Sequence, residues 1–319
     1  MIKLFATQHT TPHRSTGRFR RLLFAATLLS LLAAPLANTA AIAADKKPKP
    51  PPSKRTQVIT KKVYEQLEAA QEAADADDNT KALAILDRLK SKSDKLNSYE
   101  DAMMWNFYAS VYYGMEDIPR TLKAYGNVLK HKDIPEGLRN ASLYAVAQLN
   151  MMQGNYKTAL STLDRWLASV PEPSTDALIL KAQALYQLER YAEAERPIMQ
   201  ALGIARDKQQ TPRENWLSLL LAVHFEQDEI KQAAKALEVL VALYPKATYY
   251  RQLSGMYGLL ERETDQIAVL RAAYEAGLLK NESEILNLAR LYLANEAPYA
   301  AIKVMRSALD SGAVEDKPE

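Results

Sequence analysis

The chain has 319 residues, 48% of them hydrophobic and 25% charged, enough apolar material for a sizeable core in one or two domains or in one long solenoid. The formal net charge is +3, and the absence of cysteine excludes both a disulfide framework and a lipid-modified N-terminal cysteine. Stability must therefore come from packing alone.

Residues 1–44 have the three-part layout of a secretory signal peptide. Arg14, Arg18, Arg20 and Arg21 precede an apolar run from Leu22 to Leu36, and small residues follow up to Ala43 and Ala44, where cleavage is expected. A membrane anchor is the competing reading, but the run is short for a bilayer core of about 30 Å and is broken by Pro35. Removing this segment takes away five cations and no acids, leaving 36 Lys and Arg against 38 Asp and Glu, a net charge of −2. A surplus of clustered cations, which phosphate binding requires, is then absent, so nucleic acid is not an expected partner. The expected location is the periplasm of a Gram-negative bacterium, with no integral membrane segment left after cleavage.

Residues 45–62 form a leader. Asp45 to Arg55 holds four prolines and five cations, a composition that forbids a helix and favours an extended polyproline II strip. It reads as a spacer, or as a docking strip for an acidic surface or peptidoglycan.

From Val63 to residue 315, apolar residues recur at i, i+3, i+4 and i+7 with no strand-like alternation, which predicts an all-helical body; residues 316–319 are a tail. The segment Gly154-Asn-Tyr156-Lys-Thr-Ala159 is echoed 35 residues later by Glu189-Arg-Tyr191-Ala-Glu-Ala194. Aligning the small residue that opens each second helix, at Ala82, Thr121, Ala159, Ala194, Ala233, Gln266 and Ala301, gives seven units. They start near Val63, Ala102, Asn140, Thr175, Glu214, Ala247 and Glu282.

Numbered from these starts, the fourth residue is bulky (Trp105, Leu143, Leu178, Leu217, Tyr250, Ile285) and the eighth small (Ala70, Ala109, Ala147, Ala182, Ser254, Ala289). An aromatic stands eleventh as Tyr112, Tyr257 and Tyr292, and position 24 carries Leu86, Tyr125, Leu163, Ile198, Leu237, Leu270 and Met305. A small residue is wanted where two helices cross closely, and a bulky one fills the adjacent gap. Gln66 and Ala73 in the first unit, Leu221 in the fifth and Gln266 in the sixth depart from the pattern. Pro171 and Pro245 close two units.

These signatures resemble the tetratricopeptide repeat family over about residues 63–315. The resemblance implies an all-α, right-handed α-solenoid of about seven stacked helical hairpins, a fold that binds partners far more often than it catalyses.

Chemistry is sparse in the array. His131, in the Lys130-His-Lys132 loop, is expected to be solvated, and His224, at an eleventh position, to be a core residue. With no cysteine and two distant histidines, no local metal cluster is expected. Asp75-Ala-Asp77-Asp78-Asn79 starts like a calcium loop, but Thr80 and Leu86 stand where glycine and glutamate are required. Neither a phosphate loop nor a Gly-x-Ser-x-Gly elbow occurs, so no cofactor and no enzymatic activity are expected.

In the resembled family the first helix of each hairpin lines the concave face through unit positions 2, 5, 9 and 12. Carried over, the implied partner-binding residues are Asn106, Tyr113, Tyr144, Gln148, Ile179, Gln183, Tyr186, Asn215 and Phe225, with Arg251 and Arg290 supplying sparse charge. Amides that pair with a backbone, beside aromatics that give contact at low entropic cost, suit an extended peptide.

Lys62-Val-Tyr-Glu-Gln-Leu67, Ala82-Leu-Ala-Ile-Leu86 and Trp105-Asn-Phe-Tyr-Ala-Ser-Val-Tyr-Tyr113 are similar to exported tetratricopeptide proteins associated with TonB, ExbB and ExbD energy-transducing systems. That similarity implies a protein partner in the cell envelope and an accessory role in uptake through outer-membrane receptors. An envelope assembly factor, or a regulatory subunit of an envelope enzyme, is the alternative. The sequence sets no oligomeric state.

Overall fold

The computed structural model describes residues 58–315, and every regular element among them is helical. The signal segment, most of the leader and the tail lie outside the described residues. Fourteen α-helices pair in chain order as seven antiparallel hairpins. These are α1 (Lys61–Asp75) with α2 (Asn79–Lys90), α3 (Ser98–Gly114) with α4 (Ile118–Val128), α5 (Glu136–Met152) with α6 (Tyr156–Ser169), and α7 (Thr175–Gln187) with α8 (Tyr191–Asp207). They continue as α9 (Glu214–Glu226) with α10 (Ile230–Leu243), α11 (Ala247–Leu259) with α12 (Glu263–Glu275), and α13 (Glu282–Ala294) with α14 (Pro298–Asp310). Contacts divide the chain at Ile134 and Pro135 into two compact units, one holding the first two hairpins and the other the remaining five.

One turn closes every hairpin. At unit position 15 the backbone is left-handed, at Asp77, Glu116, Gly154, Glu189, Asp228, Glu261 and Glu296, with φ between 55° and 73°. The amide of position 16 then reaches back to the carbonyl of position 11, as in Asp78 to Ala73 (2.8 Å), Asn155 to Asn150 (2.8 Å), Arg190 to Leu185 (2.9 Å) and Glu229 to His224 (2.9 Å). This is the six-to-one bond of a Schellman motif, which satisfies a carbonyl the helix end would otherwise orphan. Only one of the seven positions is glycine, the residue for which left-handed backbone carries no Cβ clash.

The helix-crossing positions behave as their sizes require. Ala82, Thr121, Ala159, Ala194 and Ala233 at position 20 have no exposed surface, and neither do Ala70, Ala109, Ala147 and Ala182 at position 8. Leu86, Leu163, Ile198 and Leu237 at position 24 fill the space beside them and are equally buried. Where the sixth unit departs, its neighbour compensates. Gln266 occupies the small slot, and a Cβ on Gly258 would stand 2.9 Å from its Nε2, so the missing side chain at 258 makes room for the extra one at 266. Leu221, the bulky departure of the fifth unit, is half-buried beside Leu217 and Leu237.

In the first compact unit, one buried carboxylate ties hairpin one to hairpin two. Glu100, 3% exposed, accepts from the Thr60 amide (2.9 Å) at the start of α1 and from the Asn97 amide (3.0 Å), while Asn97 Oδ1 accepts from the Glu100 amide (3.0 Å). The exchange between Asn97 and Glu100 is a capping box. Desolvation pushes the Glu100 carboxyl up, but the Asn97 and Thr60 amides outweigh it and hold the group below its ordinary value. A carboxyl with a depressed folded value contributes stability above its unfolded pKa of roughly 4.3, and loses it as pH falls through the folded value. Acid titration followed by circular dichroism should therefore show a loss below about pH 4.3 in the wild type, and Glu100→Gln should be less stable at pH 7 with a flatter acid limb.

A second expectation concerns the turn. Gly154→Ala should destabilise by about 1 kcal/mol in urea, whereas Glu189→Gly at the equivalent site should be neutral or stabilising by a few tenths.

Candidate functional site: the first helices of hairpins three to seven

Within the second compact unit, the first helices α5, α7, α9, α11 and α13 carry positions 2, 5, 9 and 12 of their repeats. Gln148 and Gln183, both at position 9, are half-buried. Tyr186 is half-buried, packs edge-on to Tyr191 with centroids 5.3 Å apart, and directs its hydroxyl at Glu226 Oε1, 3.4 Å away. Burial, and then the charge of Glu226, raise the Tyr186 hydroxyl above its ordinary range, so it remains a neutral donor at physiological pH. Phe225, one repeat further at position 12, is 47% exposed, and Asn215 and Arg290 are exposed.

Other predicted members are already engaged. The ring of Tyr144 is half-buried and tilted against Trp166, centroids 5.4 Å apart, so packing within its own hairpin occupies part of it. Ile179 is 4% exposed in a cluster with Leu178, Ala182 and Trp216, and it offers no surface to a partner. In the first compact unit Asn106 is likewise buried, at 6%, and Tyr113 is half-buried. The family face was carried over by position, and at 106 and 179 the side chain is buried.

Arg251 does not supply free charge. It pairs with Glu284 of the next hairpin, whose side chain is only 8% exposed, and beside them lies a cavity of about 370 Å³ lined by Ser254, Gly255, Gln266, Ser283 and Asn287. Similar pairs link successive first helices: Arg213 with Asp176 at 2.6 Å, and Lys246 with Glu214 at 2.6 Å. Exposed pairs of this kind contribute about 0–1 kcal/mol each. Their effect is to neutralise the charges at the rim, which leaves amide and aromatic groups as the surface chemistry between them.

The two histidines differ from each other. His224 is buried at 4% exposure, as its position predicts, with Nδ1 2.7 Å from Glu229 Oε2. His131 is not simply solvated: its Nε2 lies 2.8 Å from Asp101 Oδ2 on α3, so the loop after α4 is tied back to its own hairpin. Nor is the array without a cluster of possible ligands, since Glu195, His224 and Glu229 bring one donor atom each within 4.8 Å of one another. Local spacing in the sequence does not reveal this group, because the fold assembles it from two hairpins.

The packing positions and the repeated turn define a tandem array of stacked helical hairpins. Residues 129–201 match the family model described as anaphase-promoting complex, cyclosome, subunit 3. Among solved structures, a tetratricopeptide repeat protein from Parabacteroides merdae ATCC 43184 is 15% identical, with a TM-score of 0.48, over 78% of this chain and 93% of that one. MamA (41-end) from Desulfovibrio magneticus RS-1 is 15% identical, with a TM-score of 0.45, over 56% and 96%. YrrB, described as a TPR protein with an unusual peptide-binding site, is 14% identical, with a TM-score of 0.46, over 60% and 92%. Likeness at these levels concerns the fold and carries nothing about what is bound. No curated protein matches the chain.

Burial separates stability from recognition on this face. Ile179→Ala should cost about 2–4 kcal/mol by chemical denaturation, because it opens a cavity among Leu178, Ala182 and Trp216. Gln183→Ala, four residues along the same helix, should stay within about 0.5 kcal/mol of wild type.

Proposed function

We propose that the chain is a non-catalytic interaction scaffold of the cell envelope that binds an extended peptide segment of a partner protein along the first helices of hairpins three to five. One observation supports the binding mode. Gln148 and Gln183 hold position 9 of their repeats and Tyr186 and Phe225 position 12, on three consecutive first helices, and each keeps exposed surface beside the ion pairs Arg213–Asp176 and Lys246–Glu214. Amides recurring at the repeat spacing can pair with the donors and acceptors of a peptide backbone, and the aromatics between them give apolar contact at low entropic cost.

The compartment and the partner rest on the sequence. The signal-like segment 1–44 supports export, and no helix among the described residues is long and apolar enough to cross a membrane. The similarity of residues 62–113 to exported proteins of TonB, ExbB and ExbD systems supports an accessory role in energy transduction to outer-membrane receptors.

The combined variant Gln148→Ala, Gln183→Ala, Phe225→Ala should keep the helical circular dichroism of the wild type and lose most of the partner recovered by cross-linking pull-down from the periplasm. Equal recovery would remove the first-helix face from the account. A deletion strain should grow poorly under iron limitation when iron is supplied as a complex needing a TonB-dependent receptor. Unimpaired growth would leave the scaffold reading and remove the uptake role.

A further inference from the structure

The turn that closes each hairpin also sets which side chains meet. The amide of position 16 bonds to the carbonyl of position 11 at the end of every first helix, and in two units the side chains at these positions also meet. In the sixth unit the pair is Arg262 and Tyr257, and the guanidinium carbon stands 4.4 Å from the ring centroid. In the fifth unit the pair is Glu229 and His224, with Nδ1 and Oε2 2.7 Å apart. The other pairs, Ala73 with Asp78, Tyr112 with Asp117, Asn150 with Asn155, Leu185 with Arg190 and Tyr292 with Ala297, contain no imidazole.

A third group completes the set from the preceding hairpin. Glu195, on α8, brings a carboxylate oxygen within 4.8 Å of both other donors. The imidazole is 6% exposed, whereas the side chain of Glu229 is 36% exposed and Glu195 is half-buried, so a small ion has access from the carboxylate side while the ring is fixed by packing.

We propose that Glu195, His224 and Glu229 form a binding site for a divalent transition-metal ion, with zinc the best fit, that fastens hairpin five to hairpin four. One imidazole nitrogen and two carboxylate oxygens, with no sulfur, match zinc and its first-row neighbours. They match calcium and magnesium poorly, because those ions take shells of oxygen. A tetrahedral zinc shell with bonds of about 2.0–2.2 Å places donors roughly 3.3–3.5 Å apart, so the three groups reach it by small side-chain rotations, and water supplies the fourth position. Two of the three ligands are set by the backbone of a turn, which lowers the ordering entropy that binding must overcome.

The test is calorimetric titration of zinc chloride into the chelator-treated full chain, alongside thermal unfolding by circular dichroism. The expected result is one tight site per chain, a raised unfolding midpoint with zinc, and no such rise with magnesium or calcium. Glu195→Gln and Glu229→Gln should each weaken that site about tenfold or more. His224→Phe, which keeps a ring where other units carry tyrosine, should abolish both the site and the thermal shift; His131→Asn should retain both. If His224→Phe does not fold, the two glutamine variants decide the matter, since each changes only one atom at a partly exposed position. Wild type that binds zinc no better than either glutamine variant, or that gains no thermal stability from it, would overturn the proposal.

Discussion

Every hairpin turn carries the same backbone hydrogen bond, from the amide of unit position 16 to the carbonyl of position 11, with left-handed backbone at the residue between the two helices. Once the turn is set, the second helix must return antiparallel to the first. The residues at positions 8 and 20 then lie at the crossing, where small side chains prevail and the departures are Leu221 and Gln266. The bulky residue at position 24 fills what the small ones leave. The small-and-large pattern of the sequence is thus a consequence of one turn geometry repeated.

The same constraint divides the molecule's chemistry. Positions 4, 8, 11, 20 and 24 are taken by packing, and the proposed recognition falls to the outward positions of the first helices. Among these the structure selects further. Ile179 and Asn106 are covered, Tyr144 rests on Trp166, and Arg251 is paired with Glu284, whereas Gln148, Gln183, Tyr186 and Phe225 keep surface. The paired rim charges and the exposed amides and aromatics describe a surface suited to a peptide backbone more than to an ion or a nucleic acid. Where packing and chemistry do coincide is position 11 of the fifth unit, which holds a histidine among two carboxylates.

Much of the fold was legible because its determinants are periodic. Gly154 marks the turn in the third unit, and the alanines at positions 8 and 20 mark the crossings. The turn itself was hard to read in the other six units, because Asp77, Glu116, Glu189, Asp228, Glu261 and Glu296 adopt left-handed backbone without a glycine to announce it. The compensation between Gly258 and Gln266 was hidden for a related reason: each looks like a defect alone, and only their contact explains both. The candidate face was legible as a set of positions and not as a set of exposed side chains, since Asn106 and Ile179 are buried. Glu195, His224 and Glu229 were invisible to any search for local ligand spacing, because one comes from a different hairpin.

The central claim is that hairpins three to five meet a partner through their first helices while the second helices serve as support. Hydrogen exchange measured by mass spectrometry on the chain with and without its captured partner addresses this directly. The account predicts added protection in α5, α7 and α9, within 136–152, 175–187 and 214–226, and little change in α6, α8 and α10. Protection concentrated in α6, α8 and α10, with α5, α7 and α9 unchanged, would contradict it.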